Sequence, residues 1–549
     1  MIVLANRAAS HGRFLARFES DAILSRIWAH DPSVWKRNAT DIVHRLGWLH
    51  APESMQPHLD RIESLASHVV QDGFQDIVLL GMGGSSLAAE TLIRTFAPIA
   101  GSPQVRILDT THPDAIRAIE RTLDLKRTLF IVATKSGTTT ETLALFRYFH
   151  AKLEETGAPS PGRQFIAITD PGSPLVDLAT THGFRDTFLN DPTIGGRYAA
   201  LTFFGLVPAA LGGIPIRTLL QRSREMAIQC AKYGTLEKNP AVQLGIFLGS
   251  CAAGGRDKVT FLISPSLRPF GDWVEQLIAE STGKQGTGIL PIVDEPVASP
   301  AAYGDDRVFV HLRMALEPMA DAAEAALRDA GHPIACVTID SAEAIGELFF
   351  LWEMATAIAG YTLGINPFDQ PDVEYSKAFT RQMVLDYRST GTRPPSFAKP
   401  ASASALVRVL DSLDFGDYVA LQAYVPPTPE MAHALRALRV ALRSRYGVAT
   451  TAGYGPRFLH STGQLHKGDR GNGRFIQFIM DPKEDLEIPP NDTAETAGTL
   501  SFGVLIAAQA AGDRQALLGN GRDVATFRIG PDGESALQSI AKHLTEEAN

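Results

Sequence analysis

The chain has 549 residues, 45% of them hydrophobic and 20% charged, with a formal net charge of -9. This length and composition fit several soluble domains with large cores and exclude a disordered or fibrous chain. The acidic balance argues against a nucleic-acid or anionic-membrane surface, but a small phosphorylated ligand needs only local positive charge.

The opening MIVLANRAASHGRF has too short an apolar run for a secretion signal. Cys230, Cys251 and Cys336 are widely spaced, match no zinc pattern and suggest a reducing, cytoplasmic compartment. Residues 1–70 read as a helical extension, with Phe14, Phe18, Ile23 and Ile27 at near-helical spacing. Residues 71–230 and 231–390 each alternate strand and helix patterns, which predicts two parallel, doubly wound α/β domains.

In the first domain the buried-strand pattern Asp76–Leu80 runs into Gly81-Met-Gly-Gly-Ser-Ser-Leu87 and then a helical pattern. Strand, glycine turn and helix present backbone N–H groups to a phosphate. As a dinucleotide fingerprint the loop is poor, with Ser86 where a glycine belongs, but Asp109 at the end of Val105–Asp109 leaves a nicotinamide reading open. Thr128–Ala133 is a second strand, ending in Thr134-Lys-Ser-Gly-Thr-Thr-Thr-Glu-Thr142. Its hydroxyls and lysine suit a dianion, and Thr138 with Glu141 has capping-box spacing. Phe165–Thr169 is a third strand. Gly195-Gly-Arg197-Tyr198 opens the apolar stretch Ala199–Ile216, which reads as a buried helix because Pro208 and Pro215 interrupt it. A cation is disfavoured at a helix N-terminus, so Arg197 points to a negative charge that it serves.

In the second domain the strand pattern Val259–Ile263 precedes a loop and an amphipathic helix with Asp272 as expected N-cap and Gly283 as stop. Gln276 and Glu280 are four apart and share a face. Glu280 falls in the last turn, where the helix dipole disfavours a carboxylate and favours a general base. Strands Val308–Leu312 and Ile334–Thr338 and a helix from about Ser341 to Tyr361 follow. Residues 389–404 read as a linker. Residues 405–549 read as a further α/β part completing the second domain, with strands Tyr418–Gln422 and Arg474–Ile479.

Six separated stretches carry a resemblance: GMGGSSL, TKSGTTTET, GGRY, AESTGK with Gln276 before it, NPFDQPDVEYSK and LHSTGQ. Together they resemble the glucose-6-phosphate isomerases, in wording closest to the isomerase half of transaldolase/glucose-6-phosphate isomerase fusion proteins. The resemblance implies two sugar-isomerase domains and interconversion of glucose 6-phosphate and fructose 6-phosphate through an enediolate, with no metal and no cofactor. It implies phosphate contacts by Ser85, Thr134, Lys135, Ser136, Thr139, Gln276 and Gln370. It also implies Glu280 as base, His460 with Lys377 as ring openers, and Arg197 beside the reacting carbons.

The sequence departs from the family twice. Asp372 stands where glycine is usual, and the histidine segment follows the other segments instead of lying between them, as in the fusion proteins. His466 and His311 are rivals to His460. The segment SRIWAHDPSVWKRNATDIVHRLGWL resembles the fusion linker, but no transaldolase-sized segment precedes it and transaldolase activity is not expected. The alternatives are another sugar-phosphate isomerase and a non-catalytic sugar-phosphate-binding module, although no basic helix-turn-helix pattern is present. The expected partner is a small sugar phosphate, with no nucleic acid and no membrane; the oligomeric state is left open.

Overall fold

A computed structural model describes residues 2–36, 40–232, 235–490 and 499–546, with Thr40, Asp41 and Met319 described in backbone only. Residues 37–39 of the linker-like segment lie outside the described residues. The first element is a strand, β1 (Ile2–Ala5), where the sequence pattern predicts a helical extension. The helical reading holds further on, for example at His11–Ser20 and Leu59–Gln71. Phe18, Ile23 and Ile27 are buried as their spacing requires.

The first sheet holds β2 (Asp76–Gly81), β3 (Gln104–Leu108), β4 (Thr128–Ala133), β5 (Phe165–Thr169) and β6 (Asp186–Leu189). It is parallel throughout, in the order β3-β2-β4-β5-β6. β4 and β5 are buried along their whole length, which is why they read as unbroken apolar runs. The second sheet holds β7 (Lys258–Ile263), β8 (Leu290–Ile292), β9 (Arg307–Met314) and β10 (Ile334–Ile339), in the order β8-β7-β9-β10. β1 adds to the β10 edge antiparallel, so the apolar start of the chain covers an otherwise open edge. One continuous core joins a face of each sheet through the buried helices Phe203–Leu211 and Ile345–Leu363.

The last third does not complete the second sheet. It builds a third, from β11 (Lys399–Pro400), β12 (Tyr418–Tyr424), β13 (Ala449–Tyr454), β14 (Gly473–Ile479) and β15 (Asp523–Arg528), all parallel in the order β13-β12-β14-β15-β11. Helices Pro429–Tyr446 and Gly533–Glu546 give this sheet a core of its own, including Leu435, Leu438, Leu537 and Leu544. It docks on the second unit through Tyr418, Ala420, Leu465 and Phe475 against Ala279, Leu290 and Ile292. The chain then reaches across to the first sheet, where Leu486, Ile488 and Leu500 join its core. There Phe502 meets Tyr148 edge-on, with ring centroids 5.8 Å apart.

The three sheets share one arrangement. β2, β7 and β12 are each flanked by the next strand in sequence on one side and by the one after it on the other. In such sheets a ligand binds beyond the carboxyl ends of the strands where the order reverses. In the first sheet that point lies between β2 and β4. Among the described residues no helix is long and apolar enough to cross a membrane.

Candidate active site

Both phosphate-type loops leave the first sheet at its reversal point. After β2 the chain makes a tight turn, Gly83–Ser85, with Gly83 at φ 53°. A Cβ on Gly83 would lie 2.6 Å from the His460 carbonyl oxygen and 2.9 Å from Gln276 Nε2. A Cβ on Gly84 would collide with the Gly196 carbonyl. The two glycines thus allow backbone contact with three other motifs. Ser85 is buried at the end of this turn. After β4, Thr134 and Thr139 share a hydroxyl hydrogen bond of 2.7 Å, and Ser136 and Thr138 one of 2.9 Å. Lys135 forms an ion pair with Asp170 and donates to the Pro192 carbonyl at 3.2 Å. The capping box does not form: the helix Thr140–Glu155 has Thr139 at its N-cap, and Glu141 is used elsewhere.

The equivalent first loop of the third unit reads Val425-Pro-Pro-Thr-Pro429. Three prolines remove the N–H groups a phosphate would need. The third unit has the strand arrangement of the first without its glycine-rich loop.

The helix Phe270–Thr282 carries Gln276 and Glu280. It begins earlier than expected, with Pro269 at the N-cap, because Asp272 turns instead to Arg457, 3.1 Å away. It stops at Gly283, as expected, where a Cβ would collide with Leu465. Gln276 Nε2 donates to Glu280 Oε2 at 3.1 Å and to the His460 carbonyl at 2.7 Å. Arg197 Nη1 lies 3.3 Å from Glu280 Oε1, the negative charge that its helix-start position implied. The guanidinium is buried and also donates to Ser281 Oγ (2.8 Å), Gln370 Oε1 (3.0 Å) and the carbonyls of Pro367 (2.7 Å) and Asp369 (3.0 Å). Lys284 donates to the Asp369 carboxylate at 2.8 Å. Burial, with Arg197 nearby, pulls its ammonium down to about 8.

His460 comes from the turn Arg457–His460 after β13, so the late position of its segment does not keep it from the site. Its Nε2 lies 3.0 Å from Glu141 Oε1, which also accepts from Gln509 Nε2 at 2.8 Å. Burial works to raise Glu141, but the charge and hydrogen bond of His460, its backbone bond and the charge of Lys377 together hold it below the usual carboxylate range. An ionised carboxylate only accepts, so the proton of this hydrogen bond sits on Nε2 and proton exchange with a substrate falls to Nδ1. The rivals lie elsewhere. His466 is buried under the third sheet beside Gln422, and burial lowers it well below the usual histidine value. His311 pairs with Glu324 at 2.7 Å on the second sheet.

Lys377 stands at the margin, 43% exposed and bonded to Glu374 at 2.8 Å. Asp372, the unusual residue, lies in the turn Pro371–Val373. Its amide donates to Gln464 Oε1 at 2.9 Å and its carboxylate accepts from Gln464 Nε2 at 2.5 Å, so it fastens this turn to the third unit. Asp109, the acid a nucleotide ribose would use, is taken by Arg457 at 3.0 Å. Sequence reasoning missed Glu141 and Gln509 as site residues. The one available signal was a glutamate beside the hydroxyl-rich loop, on a helix whose neighbours Thr142, Ala144, Leu145 and Phe146 are buried.

Two doubly wound sheets, glycine- and hydroxyl-rich loops at a reversal point and a carboxylate facing a buried arginine form the frame expected of a sugar-phosphate isomerase. Residues 50–305 match the phosphoglucose isomerase family model. The glucose-6-phosphate isomerase of Rubrobacter xylanophilus is 28% identical over 382 residues, covering 61% of this chain and 88% of that one. That of Carboxydothermus hydrogenoformans is 29% identical over 396 residues, covering 62% and 85%. Among solved structures, a hypothetical protein from Thermus thermophilus superposes with a TM-score of 0.61 at 25% identity, over 70% of this chain and 100% of that one. A glucose-6-phosphate isomerase from Chlamydia trachomatis superposes at 0.54 with 20% identity, over 66% and 77%, a likeness of fold. Over about three fifths of its length the chain is thus similar to glucose-6-phosphate isomerases.

Proposed function

We propose that the protein interconverts glucose 6-phosphate and fructose 6-phosphate, and that residues 71–230 and 231–390 are its two sugar-isomerase domains. The observation that carries this reading is the placement of Glu280 against Arg197, with Gln276 tied to both Glu280 and the backbone of His460. Ser85, Thr134, Lys135, Ser136 and Thr139 hold the phosphate, with Gln276 and Gln370 lining the same cleft.

Ring opening needs a proton delivered to the ring oxygen and one taken from the C1 hydroxyl. His460, polarised by Glu141, performs this exchange, with Lys377 near the ring oxygen. Glu280 then takes the proton from C2 of the open-chain aldose. The electron pair passes into the C1–C2 bond, the carbonyl oxygen gains negative charge, and the Arg197 guanidinium balances it. Glu280 returns its proton to C1, a proton passes from O2 to O1, and the ketose is formed. The sugar undergoes no net oxidation, so these residues complete the chemistry with acid, base and charge alone.

Three buried, free thiols accord with a reducing compartment, and we assign the protein to the cytoplasm. A non-catalytic sugar-phosphate module needs the loops but has no use for Glu280 facing Arg197. The test is a coupled assay with glucose 6-phosphate and mannose 6-phosphate in parallel. Turnover of glucose 6-phosphate that is lost in Glu280→Gln supports the reading. Binding of the sugar phosphate without turnover by the native protein overturns it.

A further inference from the structure

Arg457 lies three residues before His460, in the same turn, and meets carboxylates from three separate segments. Its Nη2 lies 2.5 Å from Glu90 Oε2 and 3.1 Å from Asp272 Oδ2, and its Nη1 lies 3.0 Å from Asp109 Oδ2. Each partner belongs to a piece of the site. Glu90 sits on the helix Leu87–Thr95, which the Gly83–Ser85 turn leads into, and is braced by Arg94 at 2.9 Å. Asp109 follows β3 and lies 3.5 Å from Ser86 Oγ, next to Ser85. Asp272 is in the first turn of the helix that carries Gln276 and Glu280. The Arg457 side chain is 20% exposed, so these pairs are screened less than surface pairs.

A planar fork of five donors meets three acceptors at once, which a lysine ammonium does not reproduce in geometry. The ion pairs of Arg457 join all three units of the fold. We propose that Arg457 is the positioning residue that holds the His460 turn against both the phosphate loop and the base-bearing helix, so that ring opening and proton transfer act on one bound substrate. It rests on the reading of His460 given above.

Removing Arg457 alone leaves three carboxylates facing one another, and such a variant can fail to fold. The test therefore uses Arg457→Met combined with Glu90→Gln and Asp109→Asn, with Arg457→Lys as the conservative variant. The downfield imidazole N–H proton of His460, identified by its absence in His460→Ala, reports the Glu141 bond directly. In the combined variant this signal is lost while the melting temperature stays within a few degrees of native. Turnover of cyclic glucose 6-phosphate falls about tenfold or more, and solvent-proton exchange in a four-carbon aldose phosphate, which needs no ring opening, is kept. Arg457→Lys recovers part of both the signal and the turnover. An unchanged imidazole signal overturns the positioning role whatever the activity. Equal loss of both reactions also overturns it, because that marks a general structural role. The catalytic reading of His460 fails separately, if His460→Ala itself leaves cyclic turnover intact.

Discussion

Glu141 Oε1 and His460 Nε2 are 3.0 Å apart across 319 residues of sequence. This contact joins the first unit to the third and gives the imidazole an orientation and a tautomer. Glu141→Gln keeps the shape and removes the charge, so neither is fixed any longer. Loss of a charge-assisted hydrogen bond of about 1.5–3 kcal/mol corresponds to roughly a tenfold to hundredfold fall in turnover of the cyclic sugar phosphate. Proton exchange in the four-carbon aldose phosphate is expected to stay near native. Stopped-flow turnover set beside exchange followed by NMR checks this, and an equal fall in both removes the pair from ring opening.

Glu280→Gln is expected to bind substrate and to lose isomerisation by roughly 10²–10⁴ in kcat. The amide oxygen still accepts from Arg197, while its –NH2 faces the Gln276 donor, so the variant keeps one of the two contacts and the size of the side chain. Calorimetric binding of an unreactive sugar phosphate, together with the coupled assay, separates the two effects. Near-native turnover takes Glu280 out of the mechanism.

Lys135→Ala is expected to raise KM well above any change in kcat. The phosphate is remote from C1 and C2, so its contacts are shared by ground and transition states. In the structure the ammonium is held by Asp170 and the Pro192 carbonyl, which keeps it at the mouth of the loop. Inorganic phosphate is expected to compete with substrate in the native protein and much less in the variant. An unchanged KM with no phosphate inhibition contradicts the loop assignment.

Lys284 supplies a pH dependence. With its ammonium at about 8 it is charged at neutral pH and loses its proton as pH rises through that value. The charge holds Asp369, whose carbonyl also receives Arg197. The alkaline limb of kcat/KM is expected near pH 8. Lys284→Arg is expected to move it beyond the measurable range. For stability the sign is opposite. The folded chain binds fewer protons than the unfolded chain between about 8 and the ordinary 10.5, so stability from this group rises across that window. Denaturation midpoints of native and variant protein, taken below, within and at the top of that window, check it.

What is legible in the sequence follows the local physics. β4 and β5 are buried on both faces and stand out as apolar runs. β6 and β8 have only four and three residues, too few to show a period, and no sequence pattern marks them. The glycine and hydroxyl loops are legible because the backbone chemistry demands those residue types. Two expected caps do not form, for a shared reason. Glu141 and Asp272 have the right spacing to cap, but distant partners, His460 and Arg457, take their carboxylates. No local pattern marks a pair separated by hundreds of residues. Asp372 stands out against the family motif, yet its use, a clip to Gln464, depends on a third sheet that composition does not reveal as separate.

The site draws Glu280 and His460 from one polypeptide, and this sets how activity scales. Specific activity is expected to hold constant on dilution, since Gln276 ties Glu280 and the His460 backbone together within a single chain. A mixture of Glu280→Gln chains with His460→Ala chains is expected to stay inactive, because neither population holds both halves of the proton traffic in one chain.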